Sequence, residues 1–329
     1  MSQNKDVTFL FGIYPGGVAG AESETGLTAN FAVGKPDDLD GIRNALNLLQ
    51  GSAPLFIIRN YIHYEGNTLW ESSEIVNQME IYRGPKRKVD LVLCYQTSSY
   101  VQAEWEQAIS NVIDQYGPVL HSLQIAEEPN MYHFPGDGIF PQISQVIVDG
   151  IKYAKQEISK KGFDILVGFN AVPCFNNADP FWNALTRLVD EEFLGALGYV
   201  GLDFFPDVFR PIAFENLTNA VNGVLNQFRL VNLANAGIGG DIPIHITENG
   251  WATGADRSYG RQGQVLETII RQVYQLRKQF NITQYELFSL RDADTANPDL
   301  FHQFGILRDD YSVKPAFLMY QRLTKELSC

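Results

Sequence analysis

The chain has 329 residues, 45% hydrophobic and 19% charged, a balance that supplies a large core and excludes an intrinsically disordered chain. Its formal net charge of -13, with no basic run denser than Lys86-Arg87-Lys88, argues against nucleic acid or an anionic membrane as partner. No stretch approaches the roughly 20 apolar residues of a membrane span, and the start, MSQNKDVTFLFGIYPGG, lacks the order of a secretion signal, so a soluble, cytoplasmic chain is expected.

Short runs rich in Val, Ile, Leu and Phe alternate with longer amphipathic stretches, the pattern of strands and crossover helices in a parallel α/β protein. The expected strands are VTFLFGI from Val7, LFIIRNY from Leu55, VDLVLCY from Val89, HSLQIAE from His121, DILVGFN from Asp164, LGYVGLDFF from Leu197, IPIHITE from Ile242 and QYELFSL from Gln284. Helices are expected over 103–116, stopping at Gly117-Pro118, and over 141–161, stopping at Gly162. Another spans 259–280, with Leu266, Ile269, Ile270, Val273 and Leu276 on one stripe, and the last begins at Lys314-Pro315-Ala316. No linker, repeat or low-complexity tract interrupts this rhythm, so residues 1–329 are expected to form a single domain, an α/β (β/α)8 TIM barrel. The competing architecture, an open doubly wound sheet, would place G-x-G-x-x-G after the first strand, and Gly16-Gly17 lacks that spacing.

Three cysteines, Cys94, Cys174 and Cys329, give neither a disulfide framework nor C-x-x-C spacing and read as two buried thiols and a terminal one. The five histidines include no H-E-x-x-H, so no metal and no cofactor is implied. His245 alternates away from Glu248 and is expected between sheet and helices.

In a barrel of this kind the reacting groups sit at the C-terminal ends of strands. The fourth expected strand ends Ala126-Glu127-Glu128-Pro129-Asn130 and the seventh Thr247-Glu248-Asn249-Gly250-Trp251. Eight tilted strands give a diameter of about 15 Å, and two glutamates reaching inward from strands four and seven leave about 6 Å between carboxyls. That is close to the roughly 5 to 5.5 Å of retaining glycoside hydrolysis, in which one carboxyl holds a proton and the other attacks the sugar carbon. Glu128, beside Glu127 and facing Glu248, is suited to hold the proton, and Arg59 at the end of the second strand is suited to keep Glu248 ionised. Strict alternation places Glu128 inward with Gln124 and Ala126, and Glu127 outward with Leu123 and Ile125. Tyr61, Tyr132, His133 and Trp251 lie just past strand ends as candidates for stacking on a sugar, Asn130 and Arg291 as candidates for substrate binding, and Asp203, Asp292 and Asp294 as candidates for binding sugar hydroxyls or capping loops.

On these residues the sequence resembles the large clan of retaining (β/α) barrel glycosidases. In that clan strand four ends Asn-Glu-Pro, strand two contributes an Arg, strand six a His or Tyr, and strand eight a Trp. The Glu128-Pro129-Asn130 run, Thr247 to Trp251 and Arg59 fit, as does the closing segment Phe304-Gly305-Ile306-Leu307-Arg308 with Ser312 to Phe317. The resemblance implies Glu128 as acid/base, Glu248 as nucleophile, a β-linked carbohydrate as substrate and no cofactor. Three positions depart from it. Glu127 replaces the Asn that bonds the sugar 2-hydroxyl, and an ionised Glu accepts there but cannot donate. The sixth strand reads Leu202-Asp203-Phe204-Phe205-Pro206, so a phenol orienting the nucleophile has to come from elsewhere. The eighth ends Phe288-Ser289-Leu290-Arg291-Asp292, without the Trp. With these departures, a catalytically inactive barrel that binds carbohydrate or a protein is the alternative reading.

Overall fold

The computed structural model of the chain describes residues 8–17, 34–66, 69–71, 86–133 and 136–328, so Val7 of the first expected strand and Cys329 lie outside the described residues. Its strands, in chain order, are β1 (Leu10–Ile13), β2 (Phe56–Tyr64), β3 (Leu69–Glu71), β4 (Arg87–Tyr95), β5 (Leu120–Ile125), β6 (Leu166–Ala171), β7 (Tyr199–Asp203), β8 (Ile244–Asn249) and β9 (Ile282–Leu287). All but β3 are parallel, and β1 pairs with both β2 and β9, which closes an eight-stranded barrel. Each barrel strand falls on an expected one. The exception is β3, a three-residue antiparallel addition to β2 too short to carry a period.

Helices α1 (Leu39–Gln50), α2 (Gln102–Tyr116), α3 (Ile143–Lys161), α4 (Pro180–Leu188), α5 (Glu191–Ala196), α6 (Leu217–Gln227), α7 (Tyr259–Phe280) and α8 (Pro315–Leu327) fill the crossovers among the described residues. Their ends have local causes. Ser258 caps α7 by accepting the Arg261 N–H at 3.2 Å, and Asn281 ends it in a left-handed conformation, φ +53°. Gly162, φ +71°, ends α3 with its N–H on the carbonyls of Ile158 and Ser159. Among the described residues no helix is long and apolar enough to cross a membrane.

The apolar core lies between sheet and helices, where outward residues such as Ile58, Leu91, Ile125 and Ile246 meet Val112, Ile147, Ile269 and Leu323. The inside of the barrel is polar. Arg59, Asp90, Ser122, Gln124, Asn170, Asp203, Thr247 and Glu286 are all buried there and joined across strands, and Gln284 bonds Glu286 within β9. Desolvating each ion costs several kcal/mol, so this interior does not serve stability alone. Gly201 makes part of it possible: a Cβ there would stand 2.5 Å from the Thr247 hydroxyl and 2.7 Å from the Asn170 Cβ, the two residues that reach Asp203 from either side.

The placement of His245 differs from the expectation. Its ring stacks on Tyr199 at 4.2 Å between centroids, and the Tyr199 hydroxyl points to Asp90, so His245 lies inside the barrel. Register shifts in β8 before His245 and after Ile246 break the alternation, letting His245 and Glu248 face the same side. Burial holds the imidazole well below its usual pKa, hence neutral. Cys94 and Cys174 are buried free thiols.

Candidate active site

The fourth and seventh barrel strands, β5 and β8, deliver their glutamates to one end of the barrel. Alternation stops with Ile125, because Ala126 (φ +68°) and Glu128 (φ +43°) both take left-handed conformations. The chain turns so that Glu127, expected outward, sends its carboxylate into the barrel interior, while Glu128 lines the open cleft above. Neighbouring side chains fix this turn. Buried Asp137 accepts the backbone N–H of Tyr95 at 2.6 Å and of Glu127 at 2.8 Å, and the Asn170 amide oxygen accepts the N–H of Glu128 at 2.7 Å.

Arg59, 1% exposed, is the hub. Its guanidinium lies 2.6 Å from Asp90, 3.1 Å from the Gln124 amide oxygen, 3.3 Å from Glu127, and 3.6 Å from both Glu248 and Glu286. Its Nε donates to the Tyr61 hydroxyl at 2.7 Å, and that hydroxyl donates in turn to Glu248 Oε1. The sequence marked Tyr61 only as a stacking ring. It stands two residues from Arg59 on the same face of β2, and its hydroxyl lies between Arg59 and Glu248.

Five carboxyls crowd around this one arginine. Oxygens of Glu127, Asp203 and Glu248 lie within 4.8 Å of one another. Burial first, then Asp203, pushes Glu248 up to about 7 against the opposing pull of Arg59 and the Tyr61 hydrogen bond. Burial, with Asp203 and Glu248 next, holds Glu128 well above the ordinary carboxylate range, and burial with Asp203 does the same to Glu127. Arg59 therefore moderates the Glu248 shift without cancelling it.

Glu128, Asp203 and Glu248 share a cavity of about 780 Å³, within the range of small-molecule sites. Asn130 and Tyr132 line it too, though the Asn130 amide is taken by the Val172 backbone, 2.9 Å on each side, and the Tyr132 hydroxyl by Asp179 at 3.1 Å. Two expected substrate contacts are elsewhere. Trp251, 2% exposed, donates to Asp207 at 3.2 Å beneath the guanidinium of Arg257. Arg291, 1% exposed, turns to Asp37 at 2.8 Å and to the backbone carbonyls of Lys35 and Asp292, partners that satisfy a buried cation. In place of a strand-eight Trp, Phe288 lines the cleft, stacked on Tyr14 at 5.2 Å. Asn170 and a wall of phenylalanines were not singled out from the sequence, since neither residue type signals chemistry by itself.

No family model and no curated protein matches the sequence. The fold matches solved structures. An active-site mutant of Rhizomucor miehei β-1,3-glucanosyltransferase in complex with laminaritriose aligns over 93% of this chain and 96% of its own, at TM-score 0.54 and 17% identity. The apo structure of a β-glucosidase designated 1317 aligns over 88% and 87%, at TM-score 0.59 and 15% identity. A family 39 glycoside hydrolase from the gut symbiont Bacteroides cellulosilyticus WH2 aligns over 98% of this chain at TM-score 0.65 and 11% identity; the chain spans 64% of that protein. At such identities the likeness establishes the barrel.

Proposed function

We propose that the protein is a retaining glycoside hydrolase acting on a β-linked substrate, with Glu248 as nucleophile and Glu128 as acid/base. The observation that carries this reading is that the two carboxyls line one cavity, with Arg59 and Tyr61 both placed on Glu248. In the first step a Glu248 oxygen bonds to the anomeric carbon as the glycosidic C–O bond breaks, and the Glu128 proton passes to the departing oxygen. In the second, water attacks the anomeric carbon, Glu128 takes its proton, and the Glu248 ester bond breaks to release the sugar. Glu127 sends its carboxyl into the barrel interior, where it accepts from Gln124 at 2.7 Å and Asn170 at 3.1 Å, so in this scheme it supports the site from beneath the cavity. The glucosidase and the family 39 hydrolase sharing the fold are consistent with this reading. Trapping with activated fluorosugars followed by peptide mapping tests it. A label on Glu248 is expected, and a label on another residue would refute the assignment.

The pH dependence has a definite sign. Glu248 attacks only when ionised, so kcat/KM falls as pH drops through about 7, while Glu128, held high, keeps its proton beyond that point. Two substitutions should move this acid limb in opposite directions. Asp203→Asn removes a neighbouring negative charge and shifts the limb to lower pH. Tyr61→Phe removes a hydrogen bond to the ionised form, shifts it to higher pH, and lowers kcat roughly tenfold to a hundredfold. Profiles of kcat/KM for the three proteins measure both shifts.

A further inference from the structure

The side of the cleft nearest strands six and eight is built almost entirely of benzene rings. Phe205 meets Phe288 at 6.3 Å and 86°, and Phe304 at 5.7 Å and 77°; Phe288 and Phe304 meet at 5.6 Å and 75°. Phe209 and Phe301 extend the cluster outward, 6.1 Å apart. All five line the cavity that holds Glu128 and Glu248. Phe205, Phe288 and Phe304 stand edge-on to one another and Phe301 is tilted by 40° to Phe304 and 36° to Phe209, so the rings make a cup instead of a flat platform along which a glycan could lie.

A second sugar ring would bring several hydroxyls to this wall, and each buried hydroxyl without a partner costs roughly 1–3 kcal/mol. Phenylalanine offers no donor or acceptor. Of the other polar side chains lining the cavity, Asn130, Tyr132 and Asp203 are bonded within the protein, which leaves the exposed His133 and Arg210, outside the ring cluster, to meet such hydroxyls. Phe209 is 58% exposed, an apolar surface beside the carboxylates that an apolar ligand would cover.

Building on the proposed hydrolase reading, we propose that the leaving group of the natural substrate is an apolar alcohol, aryl or alkyl, seated in this phenylalanine cup, and not a further sugar. The bond cleaved is the one between the anomeric carbon and the alcohol oxygen, which departs with the Glu128 proton.

Alkyl β-glucosides and β-galactosides from methyl to octyl, used below their micelle concentrations, separate binding from bond cleavage, because their alcohols differ little in acidity. We expect kcat/KM to rise about fourfold for each methylene the cup buries, octyl glycosides to be cleaved faster than β-linked disaccharides of the same sugar, and the chain-length slope to flatten in Phe209→Ser and Phe301→Ser. Phe209 is exposed enough for its variant to fold. A flat series from an active enzyme, or a preference for the disaccharides, overturns the proposal and leaves the hydrolase reading intact. If no glycoside is cleaved, calorimetry with the same series decides. Affinity rising with chain length then supports the cup while the hydrolase reading fails, and affinity without that slope, or no binding at all, overturns the cup as well.

Discussion

Glu248→Gln is expected to abolish turnover, a loss of several orders of magnitude in kcat, on the scale that follows removal of a catalytic nucleophile. The amide keeps the size of the carboxyl but cannot attack the anomeric carbon. It also removes one negative charge from the group around Arg59, so the variant should melt no lower than the parent protein at pH 8, where Glu248 would be ionised. Glu128→Gln differs in a way that identifies its role. With an alkyl leaving group kcat should fall roughly 10²–10⁴-fold. With a leaving group that needs no proton, the first step should survive, the glycosyl-enzyme should accumulate, and azide should restore turnover by attacking without base assistance. Full activity in Glu248→Gln would end the assignment, and binding of glycosides without hydrolysis in the unmodified protein would point to a silent, carbohydrate-binding barrel.

Arg59→Met should be the most damaging substitution to the fold, by about 3–5 kcal/mol, the usual consequence of removing one partner from a buried ion network. Methionine fills much of the volume, so the loss is electrostatic: Asp90, Glu127, Glu248 and Glu286 would face one another with no cation between them. The pH dependence follows by linkage. Carboxyls whose folded pKa is raised contribute stability that is present below their unfolded pKa and lost as pH rises through the folded value. Burial raises Glu127, Glu248 and Glu286, Arg59 lowers all three, and without it they rise further. The deficit should therefore be greatest near pH 8 and shrink toward pH 5 as protons replace the missing charge. Urea unfolding of both proteins at the two pH values measures it; an equal deficit at both would mean that the loss is one of packing.

Much of the fold is legible in the chain because its signals are local. Strand period, apolar runs and stops such as Gly162 and Asn281 are read within a few residues, and eight repeats of one unit leave few ways to bury every face. The strand ends carrying Glu128 and Glu248 were legible for the same reason. The rim was less so. Trp251 and Arg291 sit where a barrel places substrate contacts, yet each found a closer partner in a loop, Asp207 and Asp37, that no spacing rule connects to it.

What the amino-acid order determined by itself was the closed eight-stranded barrel and the two strand ends that present its glutamates, since period and punctuation act over short range. Only the tertiary structure decided which side chains meet inside. Left-handed residues at 126 and 128 turn Glu127 inward, register shifts in β8 bring His245 to the face of Glu248, and the closure of the barrel lays Tyr61 from one strand against Glu248 from another. Those outcomes depend on how strands are tilted and offset against partners distant in sequence, and one residue of offset exchanges the inner face for the outer.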